Sequence, residues 1–66
     1  MEQLFNYIDN LLKWSKQTPA AAETFFNQAF GAVQFYILEH NLSAEDFTAL
    51  ENKWNQVYRP QFEEEM

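Results

Sequence analysis

His40 is the only histidine in this chain, and there is no cysteine. A metal centre needs several nitrogen, sulfur or oxygen donors that converge, and a nucleophile needs a base beside it. At three- and four-residue spacing, the helical neighbours of His40 are Tyr36, Ile37, Ser43 and Ala44. None of them completes a metal pair or a catalytic dyad. The position suits a histidine that complements the negative end of a helix. Side-chain oxygens at Asn41, Ser43 and Glu45 follow the spacing of a calcium loop, but Asp46 stands where that loop needs glycine. Asn52 stands where it needs a bidentate glutamate. A single glycine cannot build a glycine-rich phosphate loop. The expectation is a chain that is not an enzyme and holds neither metal nor cofactor.

Charge narrows the partners. Ten acidic residues against four basic ones give a formal net charge of −6. Nucleic-acid binding rests on clustered lysine and arginine. Here Lys13 and Lys16 are far in sequence from Lys53 and Arg59, and the turn Ser43-Ala44-Glu45-Asp46 would repel phosphate. Direct nucleic-acid binding and attraction to an anionic membrane are therefore not expected. The acidic balance fits an alternative, a nucleic-acid mimic or acidic inhibitor that blocks a basic nucleic-acid-binding protein. Its acids form no dense row, however. The start, Met1-Glu2-Gln3, carries no basic region and leads into no long apolar stretch, so a cytoplasmic chain is expected.

Three segments of helical periodicity must position whatever side chains act. The first, at about 3–16, repeats Leu4, Ile8, Leu11, Leu12 and Ser15 on one face. The second, at about 19–39, opens on Thr18-Pro19, a favoured cap followed by a favoured first helical residue. Its main stripe is Ala22, Phe25, Phe26, Ala29, Phe30, Val33, Tyr36 and Ile37. Asn41 is placed to end it in the left-handed conformation. Ser43 is placed to cap the third segment, at about 44–58, with Leu42 and Phe47 as a hydrophobic staple. That segment presents Phe47, Leu50, Trp54, Val57 and Tyr58. Arg59-Pro60 is expected to stop it, because the residue before proline is pushed out of the helical region. Residues 59–66 are then a short acidic tail with Phe62 as its apolar anchor. Short connections between amphipathic helices make antiparallel neighbours. The expected fold is all-α, an up-down-up three-helix bundle in one domain, 1–66.

Twelve aromatic residues must find places in a core that cannot be large. Phe5, Phe25, Phe26, Phe30, Tyr36, Phe47, Trp54 and Tyr58 are expected to build it. Gly31, Phe35 and Leu38 fall opposite the main stripe of the second helix, at i, i+4 and i+7. A glycine inside a helix costs about 1 kcal/mol relative to alanine, so close packing is expected at Gly31. Tyr7 and Trp14 border the first stripe in the same way. These five residues are the candidate surface for a partner. The expected function is a small protein–protein interaction module whose partner is another protein or a second copy of this chain.

Overall fold

A computed structural model describes residues 1–66. Helix α1 spans Glu2–Gln17, and α2 spans Ala22–Glu39 after a 3-10 turn at Pro19–Ala21. A third rod begins as α3 (Ala44–Lys53), widens into a π turn at Trp54–Tyr58 and continues as α4 (Arg59–Glu65). There is no strand, and the expected all-α three-helix bundle is the fold. Its directions follow from the contacts. Phe5 of α1 stacks on Tyr58 at 6.0 Å, and Lys16 Nζ reaches Gln61 Oε1 at 3.4 Å, so the first and third rods run the same way. Phe30 of α2 meets Trp54, and Phe26 meets Phe62, both at 6.1 Å, so α2 runs against the third rod. No helix is long and apolar enough to cross a membrane.

The turns differ from their expected chemistry. The Thr18 hydroxyl makes no capping bond. Proline after Thr18 favours an extended conformation there, and the chain re-enters helix through a 3-10 turn in which the Ala21 N–H donates to the Thr18 carbonyl at 3.0 Å. Asn41 does not adopt the left-handed conformation, since no residue has positive φ. Instead His40 is extended, and the Leu42 N–H returns to the His40 carbonyl at 2.9 Å, closing a tight turn about Asn41. Ser43 does cap α3, with its Oγ accepting from the Asp46 N–H at 3.1 Å.

The largest departure is at Pro60. Arg59 keeps helical angles (φ −54°, ψ −47°), and the rod runs on to Glu65, so the expected tail is helix. The preceding π turn makes this tolerable. Proline inside a regular helix clashes with the carbonyl four residues back. Here the turn before it is widened, with the Arg59 N–H donating to Trp54 O, five residues back. Pro60 then lies in the first turn of α4, where a missing N–H matters least. The Gln61 side chain donates to the Val57 carbonyl at 2.9 Å, adding a bond inside the widened turn.

The π turn also sets which residues are buried. Leu50, Trp54, Tyr58 and Phe62 are all buried. At about 100° per residue, Phe62 would stand about 120° from Leu50 in an uninterrupted α-helix. One extra residue in a turn removes about 100° of that drift, so all four face the core. Trp54, Phe26 and Phe62 pack together, with Phe26 and Trp54 stacked at 5.8 Å. The α1 stripe of Leu4, Ile8, Leu11, Leu12 and Ser15 is buried as expected. Lys53 Nζ sits 4.2 Å above the Phe5 ring, a cation–π contact at the core edge. Tyr58 is pushed up to about 12, first by burial and then by the neighbouring Asp9 carboxylate, which favours the protonated hydroxyl.

The expected core was too generous. The molecule measures 36 × 20 × 16 Å, so nothing in it lies far from solvent. Of the aromatics, only Trp54, Tyr58 and Phe62 are buried; Phe5, Phe25, Phe26 and Tyr36 are partly covered. Phe30 is 45% exposed and Phe47 39%. Val57 is exposed as well, turned off the buried row within the π turn. Phe47, expected to staple onto Leu42, is not packed against the core, and Leu50 is the one buried residue of α3.

Ser15 is fully buried and its hydroxyl has no hydrogen-bond partner. A buried unpaired polar group costs about 1–3 kcal/mol. Replacing Ser15 by alanine removes that cost and improves helix propensity, so Ser15→Ala is expected to raise stability by about 1 kcal/mol. A higher urea midpoint at unchanged m would show it; a lower midpoint would mean the hydroxyl is bonded in solution.

Candidate partner-binding surface

The outward side of α2 is fixed by its inward side. Ala22, Ala29 and Val33 are buried and fix the face that α2 turns inward. Relative to Val33, Phe35 and Leu38 lie about 160° and 140° around the helix in opposite senses, so Leu38 points away from the bundle and Phe35 sits on the flank of α2 nearer α1. Phe35 is 64% exposed and Leu38 83%. Neither is covered by Phe62, which is spent in the core.

The five candidate residues do not form one site. Tyr7 and Phe35 come together in a groove of about 550 Å³ between the start of α1 and the end of α2. Met1, Glu2, Tyr36 and His40 are among the other residues that line it. Leu38 projects beyond that groove. Trp14 lies at the other end of α1, half-exposed and packed on Phe25 with ring centres 6.1 Å apart. The close packing expected at Gly31 is absent: a Cβ built there would meet nothing within 4 Å. Local helix geometry therefore gives no reason for that glycine.

His40 does not stand alone at the helix end. Its ring stacks on Tyr36 with centres 4.0 Å apart and planes 21° apart. No three histidine or acidic side chains converge in a way that could hold a metal ion.

A second groove was not read from the sequence. It has a volume of about 770 Å³ and runs between α2 and the third rod. Phe30, Ile37, Phe47 and Met66 line it over Trp54, with Asn27, Gln34 and Asn55 as neutral polar margins. Of the eight apolar residues in the α2 stripe only Phe30 stays exposed, so the width of the stripe does not announce the groove. No protein-family model, curated protein or solved structure matches this chain.

Gly31 gives a direct test of the outward face. With open space beside it and a helical backbone, Gly31→Ala is expected to stabilise the chain by about 1 kcal/mol. The check is the chemical-denaturation midpoint. Destabilisation would place an unseen neighbour against Gly31.

Proposed function

We propose that this chain is a protein–protein interaction module with no chemistry of its own, whose partner is another protein or a second copy of itself. The carrying observation is the exposure of Phe35 and Leu38 on one side of α2. An isolated exposed leucine is ordinary, but a large aromatic and a leucine one turn apart on a helix make a contiguous apolar patch. Tyr7 extends it across the groove to α1, and tyrosine is a residue type enriched in interfaces. A cytoplasmic setting belongs to the same reading. Small domains of oxidising compartments lean on disulfides, and this chain has no cysteine.

The double variant Phe35→Glu/Leu38→Glu tests this face. Both side chains are exposed, so the far-UV circular dichroism of the variant should match the wild type. Sedimentation equilibrium and affinity capture from the native cell are then compared. A dimer that becomes monomeric, or a captured protein that is lost, is the expected result. A monomeric wild type that captures the same proteins as the variant would contradict the proposal.

A further inference from the structure

The groove between α2 and the third rod has the shape of a missing helix. Its α2 wall carries Asn27, Phe30, Gln34 and Ile37, one helical edge at three- and four-residue spacing. Its other wall carries Phe47, Glu51, Asn55 and Glu63, a row at multiples of four. From Phe47 to Glu63 that wall is about 24 Å long at 1.5 Å per residue. The α2 wall from Asn27 to Ile37 is about 15 Å long, so an occupying helix would meet both walls over about three turns and the third rod over its remaining length. A helix laid in this trough, between two of the three rods, would take the fourth position of a four-helix bundle.

Charge selects the occupant. The ionised groups on the walls are Glu51, Glu63 and Arg59. Arg59 is already held by Glu63, with Nε and Oε1 2.8 Å apart. Glu51 has no ion-pair partner. The whole chain carries −6, so a second copy would bring −6 against −6. A cationic partner is drawn in by the same field. We propose that this groove binds an amphipathic helix from another protein, with apolar anchors at i, i+3 or i+4 and i+7 facing Phe30, Phe47 and Trp54, and with lysine or arginine along its flanks. The inference rests on the reading of the chain as a protein-binding module but places the contact on a different face.

The test uses the full chain, isotopically labelled, and a synthetic helix of leucine and lysine in heptad order, about 16 residues long. A twin with glutamate for lysine and a scrambled peptide are the controls. Amide shifts on adding the lysine helix are expected at Phe30, Gln34, Ile37, Phe47 and Glu51, with little response to either control. Phe47→Glu and Glu51→Lys, both at exposed positions, should each weaken binding about tenfold or more while leaving the fold intact. Unchanged affinity in both variants would overturn the inference, since binding would then owe nothing to the groove. Shifts confined to Tyr7, Phe35 and Leu38 would overturn it while leaving the protein-binding reading standing. So would a dimer in sedimentation with this groove closed. No response to the lysine helix anywhere would overturn the inference and leave the protein-binding reading to the Phe35→Glu/Leu38→Glu comparison.

Discussion

Phe62 enters the core against both Phe26 and Trp54, and the last turns of the third rod depend on that contact. Helix α4 packs against both α1 and α2, whereas α3 approaches them far less closely. The π turn and α4 dock the third rod together, Trp54 on Phe26 and Phe30, Tyr58 on Phe5 and Phe62 on Phe26, while Leu50 is the one buried residue of α3. Burying a phenylalanine side chain contributes about 1.5–3 kcal/mol, and each well-placed aromatic pair about 0.5–1.5 kcal/mol more. A proline in a helix interior costs about 3 kcal/mol, and less where the turn before it is widened. The balance favours carrying the helix through. The exposed ion pair between Arg59 and Glu63 adds only a few tenths of a kcal/mol.

This arrangement settles where the aromatic residues go. A molecule 16 Å across its thinnest dimension has room for few fully enclosed rings. Trp54, Tyr58 and Phe62 take those places on one rod, because the π turn keeps them in a single row. Rings from α1 and α2 then cover the row from the side and remain partly in water. Phe30 is an example: its ring touches Phe26 and Trp54 while its outer edge faces the second groove. The exposed surface is thus a consequence of how the core is built. Two apolar faces result, one on the outward side of α2 and one between α2 and the third rod. Both are exposed to solvent.

The sequence made the helices and their phase plain, and Ser43 marked the start of α3 with a cap that forms as read. The α1 stripe was legible down to Ser15, because five positions on a 3.6-residue period admit one facing. Pro60 misled because its rule is local. Its outcome was decided by Phe62, two residues later, and by a π turn that no short-range pattern announces. Phe30 and Phe47 were misplaced for a related reason. Membership of a stripe says which way a side chain points, and only the neighbouring helix says whether anything covers it. On the candidate surface the exposure of Phe35 and Leu38 followed from their phase opposite Val33. The groove along Phe30 and Phe47 could not, since it is made by the spacing between two rods.

The most direct measurement is nuclear magnetic resonance of the whole chain at residues 61–65 and at the Phe62 ring. Helical Cα shifts through Glu65 and nuclear Overhauser contacts from Phe62 to both Phe26 and Trp54 are expected. Random-coil shifts after Pro60, with no contact from the Phe62 ring to either residue, would contradict the docking of α4.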